Sequence, residues 1–183
     1  MKVGRPGEPL RVVLIGPEST GKTRLARELA AHYAVPWSPE HARQYVEIHD
    51  GSLGYADVDA IGKGQKTGED AAVARAIELG APLVVLDTDL LSTVVYSRHY
   101  YAECPEWIER EARSRLGDLY LLHHVDVDWR PDGHQRAQPQ RREELFARFQ
   151  AALEDVGVQV CEAQGSWNER KRRAIDAIDR LLS

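Results

Sequence analysis

An apolar, β-branched run from Leu10 to Ile15 stops at Gly16, and from Lys22 a helix-forming stretch is under way. Between them the chain reads GPESTGKT: Gly16, Pro17, Glu18, Ser19, Thr20, Gly21, Lys22 and Thr23. A strand that ends on one glycine and enters a helix through another must turn sharply. Its glycines carry no Cβ to keep backbone N–H groups from pointing into a shared concavity, which is a nest for phosphate oxygens. The start of the helix adds the positive end of its dipole, Lys22 adds a full charge that reaches β- and γ-phosphates, and the Thr23 hydroxyl suits Mg²⁺. Gly-x-x-x-x-Gly-Lys-Thr in strand-to-helix context therefore predicts a nucleoside triphosphate, ATP, bound with Mg²⁺ over residues 16 to 23.

The rest of the chain alternates in a way that fits this loop. Leu25, Leu29 and Tyr33 recur four apart on one helical face, which Val35-Pro36 closes. VPWSPE is a short extended segment leading into HARQYVEIH, and Asp57 opens a long helical stretch to Leu79, although Gly62, Gly64 and Gly68 weaken it. PLVVLDTD reads as a buried strand ending in acids, LLSTVVYSRHYY as helix, LYLLHH as strand, PQRREELFARFQAALEDV as helix, VQVCE as strand and NERKRRAIDAIDRLL as the closing helix. Uninterrupted β-branched strands separated by helices predict an α/β fold: a three-layer, doubly wound parallel sheet of about five strands, with its ligand at the strands' carboxyl ends. The 183 residues suit one domain, residues 10–183, behind a loose N-terminus of residues 1–9.

The same rim collects the other candidate residues. A Mg-nucleotide needs a carboxylate behind its metal at the end of a neighbouring strand, and Asp87 fills that place with Thr23. Asp89 either faces a substrate or caps the helix from Leu90. Glu40 and Arg43 follow the second strand: the carboxylate is placed to take the proton of an attacking hydroxyl and the arginine to fix a ribose hydroxyl or moving charge, or both simply begin an exposed helix. Trp37 beside them either packs or stacks on an aromatic ring of the substrate. From Asp126 to Arg142 a polar segment rich in Gly, Pro and Arg has the composition of a lid closing arginines over a triphosphate, with Arg136, Arg141 and Arg142 the candidates, or of a solvated connection. His123-His124 reads as a strand end rather than a zinc site, and ERKRR as a solvated helix face.

Net charge is −5, so no overall basic field draws the chain to nucleic acid or an anionic membrane, and any anion site is local. The two cysteines lack metal spacing, and no apolar segment reads as a secretion signal or a membrane span; the expected location is cytoplasmic.

GPESTGKT, PEHARQY after the second strand, LDTDLL and DWRPDG, with their spacing to the last helix, make the sequence resemble the ribosylnicotinamide kinase domain of the bifunctional NadR proteins, within the nucleoside-kinase-like phosphate-loop domains. The resemblance runs from about Val12 to Leu181. It implies transfer of the γ-phosphate of ATP to the ribose 5'-hydroxyl of nicotinamide riboside, giving nicotinamide mononucleotide. It also implies that Glu40 and Arg43 occupy the family's acidic and arginine positions and that Asp87 and Asp89 match its Asp-x-Asp. Gln135 stands where the family carries a lid arginine, with Arg136 one place later. NadR proteins carry a nucleotidyltransferase domain ahead of the kinase, for which the nine residues before Leu10 have no room, so a stand-alone kinase is expected. The alternatives are a kinase of another nucleoside or sugar, and an ATP-dependent switch or partner-binding ATPase with no small acceptor. For a switch, the guanine-reading Asn-Lys-x-Asp is missing.

Overall fold

The computed structural model describes residues 7–49, 53–127 and 141–183. Five strands, β1 (Leu10–Ile15), β2 (Trp37–Ser38), β3 (Leu83–Asp87), β4 (Leu119–His123) and β5 (Val160–Ala163), form one parallel sheet in the order β2-β3-β1-β4-β5. The helices are α1 (Lys22–Tyr33), α2 (His41–Ile48), α3 (Val58–Leu79), α4 (Leu90–Tyr101), α5 (Glu106–Ser114), α6 (Arg142–Val156) and α7 (Trp167–Leu182).

Alternation along β1 explains the layering. Val12 and Leu14 point to a core shared with Leu25 and Leu29 of α1 and Ala174 and Ile178 of α7. Val13 and Ile15 point the other way, to Val73 of α3, Val95 of α4 and Phe149 of α6. With both faces covered, β1 is apolar from Val12 to Ile15 and β3 from Leu83 to Leu86, and the acid Asp87 comes at the end of β3. Register then decides what meets at the carboxyl edge: Leu14 pairs with Asp87, Ser38 with Leu86 and Ile15 with Leu122. Gly16, Asp87, Glu40 and His123 therefore emerge on one rim.

Three local readings change. α5 was not legible as an element: its nine residues bury only Ile108 and Ala112, too short an apolar stripe to register against five charges. Asp57 makes no side-chain bond to cap α3; it accepts from Gly54 N at 2.7 Å and Tyr45 Oη at 3.0 Å, holding the turn before the helix. The α3 glycines, unfavourable on propensity, lie where neighbouring side chains come close. A Cβ at position 64 would lie 1.9 Å from the His41 ring, and one at position 62 would lie 2.6 Å from Ile108.

Candidate functional site

The loop after β1 takes the strained path its composition anticipates. Gly16, Ser19 and Gly21 have φ of 136°, 55° and 87°. Two of these are glycine for steric reasons as well, since a Cβ on Gly16 would meet the His123 carbonyl at 2.8 Å and one on Gly21 the Trp167 ring at 3.0 Å. Lys22, only 6% exposed, folds its ammonium back over the loop and donates to Gly16 O at 2.9 Å and Pro17 O at 2.8 Å. Phosphate oxygens are stronger acceptors for an ammonium than these neutral carbonyls.

Behind the loop, Thr23 Oγ1 donates to Asp87 Oδ2 at 2.5 Å, and Asp87 is fully buried with Oδ1 unpartnered. Burial raises the Asp87 carboxyl, opposed by the Thr23 hydrogen bond and Lys22. A hydroxyl backed by a carboxylate with a spare buried oxygen fits Mg²⁺. That ion keeps most of its ligands as water and phosphate oxygens.

Glu40 occupies the N-cap position of α2 without making a side-chain cap bond, so its carboxylate is left for the cleft. Burial lifts it from 4.5 to about 7, against Lys22, with Asp87 adding to the rise and Arg43 opposing it. Glu40, Asp87 and Lys22 are thus electrostatic neighbours at the loop. Beyond them opens a cavity of about 170 Å³. Glu40, Arg43 and Glu18 border it on the phosphate side, while Val46, Val58 and Ile61 form apolar wall. Tyr96 and Tyr100, parallel within 5° at 6.3 Å between centroids, form another wall, and the Tyr96 hydroxyl donates to Gly16 O at 3.3 Å.

The structure brings together the phosphate loop, Glu40, Arg43 and Asp87. Glu18, expected only among the ATP-binding residues, also faces this cleft, its carboxyl raised by burial and one oxygen unpartnered. Asp89 is not brought there. It caps α4 by accepting from Ser92 N at 3.2 Å and takes the Tyr120 hydroxyl at 2.6 Å, both inside the core, so the capping alternative describes it and the substrate-facing one does not. Trp37 also stays away: its ring packs on the α1 side of the sheet, with the Arg27 guanidinium 5.5 Å from its centroid. The tyrosines of α4 supply the aromatic surface instead. Arg136 lies outside the described residues. Arg141 is exposed, 4.0 Å from Glu144, whereas Arg142 is buried, donates to Val127 O, feels Glu18, and has Nε and Nη2 unpartnered.

Other residues support the loop from beneath. His123, buried at the end of β4, contacts Thr20 O through Nδ1 at 3.1 Å, and burial beside Lys22 lowers it to about 3, keeping it neutral. Arg170, read as part of a solvated run, is 0% exposed; its guanidinium donates to Gly165 O at 2.9 Å and Thr20 O at 3.5 Å and pairs with Asp126. The tyrosine pair had one sequence signal, its i, i+4 spacing on the helix that begins within LDTDLL; Arg170 had none, because a charge run looks alike whether one member is buried or not.

No helix among the described residues is long and apolar enough to cross a membrane. A family model described as an AAA domain matches residues 11–170, and no curated protein matches the sequence. Among solved structures, a NadR protein in complex with NR superposes with a TM-score of 0.74 at 24% identity, over 96% of this chain and 51% of that one. A NadR protein in complex with NAD and AMP-PNP gives 0.72 at 25%, over 95% and 50%. This chain thus spans about half the length of the NadR chains it matches. A thymidylate kinase from Ehrlichia chaffeensis gives 0.63 at 12%, over 95% and 99%. The five-stranded order 2-3-1-4-5 is that of a phosphate-loop, nucleoside-kinase-like fold.

Proposed function

The chain belongs to a phosphate-loop AAA-domain family, and from that premise we propose that it is an ATP-dependent kinase of a small hydroxyl-bearing molecule, with the ribose 5'-hydroxyl of nicotinamide riboside as acceptor. The observation that carries this reading is Glu40: a carboxylate free of capping duty, held near neutrality at about 7, adjoining both Lys22 and an aromatic-walled cleft.

The acceptor lies in the cleft with its ring against Tyr96 and Tyr100 and its hydroxyl toward the loop. The hydroxyl oxygen attacks the γ-phosphorus, the bond from that phosphorus to the β,γ-bridging oxygen breaks, and the hydroxyl proton passes to Glu40. ADP and the 5'-phosphate of the riboside are the products. Lys22 and the loop amides neutralise charge spreading over the phosphate oxygens, and Arg43 stands at the acceptor end. Thr23 with Asp87 behind it would hold Mg²⁺, which supplies further charge neutralisation between the phosphates when bound.

A kinase of another nucleoside is the second reading, favoured by the likeness to a deoxyadenosine kinase from M. mycoides over 93% of this chain and 99% of that one. An acceptor-free ATPase leaves both the cleft and the position of Glu40 without a role. Incubating the protein with Mg²⁺, ATP and a panel of ribosides, and following ADP and phosphorylated riboside by mass, tests the proposal. Nicotinamide riboside should turn over fastest; brisk turnover of a different acceptor beside none of it rejects the specific substrate, and ADP release indifferent to every riboside rejects the kinase.

A further inference from the structure

We infer that Gln65 is a positioning residue that holds the acceptor side and the phosphate side of the site in register, an inference that rests on the kinase reading. Gln65 lies on α3 and borders the cleft at 3% exposure. Its amide meets three separate places. Oε1 accepts from His41 N at 3.0 Å, while Nε2 donates to Thr88 O at 3.2 Å and to Glu69 Oε1 at 3.3 Å. A backbone N–H only donates and a carbonyl only accepts, so these two partners admit the amide one way round.

Each backbone partner adjoins a residue of the proposed chemistry. His41 N is an N-terminal amide of α2, without an intrahelical acceptor, and the preceding residue is Glu40. Thr88 directly follows Asp87 and has φ 69°, a conformation that a β-branched residue keeps only where its surroundings hold it. It is held at both ends: Thr88 N donates to Leu14 O at 3.0 Å and Thr88 O accepts from Gln65. That turn sends Asp87 toward Thr23 and Asp89 into the core. Gln65 is therefore a strut from the backbone that carries the proposed base to the backbone that carries the proposed metal acid.

The strut is short because α3 comes very close. A Cβ on Gly64 would overlap the His41 ring at 1.9 Å, and one on Gly68 would lie 3.0 Å from Ser38 Oγ. Behind the amide, Glu69 is fixed by Arg115 Nε at 2.9 Å. The charged and titratable groups around position 65 are Glu69 on α3, Arg115 after α5, Asp87 and Asp89 flanking Thr88, and Glu40 and His41 at α2.

Two substitutions test this. Gln65→Leu keeps most of the volume and deletes all three bonds. It should lower kcat for the riboside about tenfold or more while KM for ATP stays within about threefold, the pattern of misalignment rather than lost binding. Gln65→Glu still accepts from His41 N when ionised but cannot donate to Thr88 O; when protonated it can do both. The ratio of variant to wild-type kcat should therefore rise as pH falls from 8 to 6. The strut also aims Asp87, so by calorimetry Gln65→Leu should weaken ADP binding about twofold to threefold with Mg²⁺ present and leave it unchanged without Mg²⁺. Wild-type kcat in Gln65→Leu, a pH-independent ratio in Gln65→Glu, or equal effects with and without Mg²⁺ would each overturn the role. Should Gln65→Leu fail to fold, Gln65→Glu decides. A wild type that binds ADP and Mg²⁺ but phosphorylates no riboside sinks the kinase reading instead, and the calorimetric comparison still judges the strut.

Discussion

Glu40→Gln should make the protein more stable and much less active. Burial lifts the Glu40 carboxyl from 4.5 to about 7 despite the opposing charge of Lys22. At about 1.4 kcal/mol per tenfold difference, ionised Glu40 costs the folded state about 3 kcal/mol relative to the unfolded chain. Glutamine removes that cost but also removes a negative neighbour of Lys22 and Arg43, and Glu40 keeps some contact with solvent, so the net gain is roughly 1–2 kcal/mol. For a chain of this size that is a rise in Tm of about 2–8 °C.

The sign follows the raised value. Below 4.5 the carboxyl is protonated in both folded and unfolded chains, and glutamine brings little. Between 4.5 and 7 the unfolded chain ionises first and the advantage of glutamine grows; above 7 it is complete. Calorimetric melts of both proteins at pH 5 and pH 8.5 measure it. The same substitution should reduce kcat by about 10²–10⁴, the worth of a general base, with ATP affinity nearly unchanged. A gain in Tm equal at both pH values, or a loss at pH 8.5, would refute the buried-carboxylate reasoning. Parallel loss of ATP binding would remove Glu40 from the acceptor side.

For the wild type, kcat/KM for the acceptor should climb as pH passes about 7 and Glu40 ionises, and a flat profile from pH 6 to 8 would assign the proton elsewhere. Lys22→Ala should lower turnover by about 10³ through loss of a charge at the phosphates; near-normal turnover would contradict the loop's role. Gly64→Ala forces a methyl against the His41 ring, a destabilisation of about 1–3 kcal/mol readable in urea, and an unchanged midpoint would contradict the close approach of α3. Arg170→Met removes donors from Thr20 O and Asp126 and should cost about 1–3 kcal/mol, with weaker nucleotide binding as the loop loosens.

What the sequence discloses here is mostly local. Gly16 to Thr23 and Asp87 can be placed at one rim because their positions follow from covalent spacing at a strand end, and the alternation of buried strands with helices leaves few architectures open. What escapes depends on partners far along the chain. Asp89 has the same neighbours whether it caps a helix or meets a ligand, and Tyr120 is what draws it inward. Nearness to Glu40 suggests a cleft position for Trp37, yet Trp37 lies in β2 with its ring on the α1 side of the sheet, while Glu40 has already left the sheet to begin α2. Propensity counts the α3 glycines against a helix, whereas the His41 ring and Ile108 crowd positions 64 and 62, and nothing in the local sequence shows it. Arg170 and Gln65 are polar letters among polar letters, and only burial separates them from their neighbours.

The most direct test of the account is a crystal structure of the protein with Mg²⁺, ADP and nicotinamide riboside. It should show the β-phosphate held by the amides of the loop after Gly16, and the riboside in the tyrosine-walled cleft with its 5'-oxygen about 2.6–3.2 Å from the Glu40 carboxylate. A nucleotide bound away from that loop, or a riboside whose 5'-oxygen points away from both Glu40 and the phosphates, would contradict it.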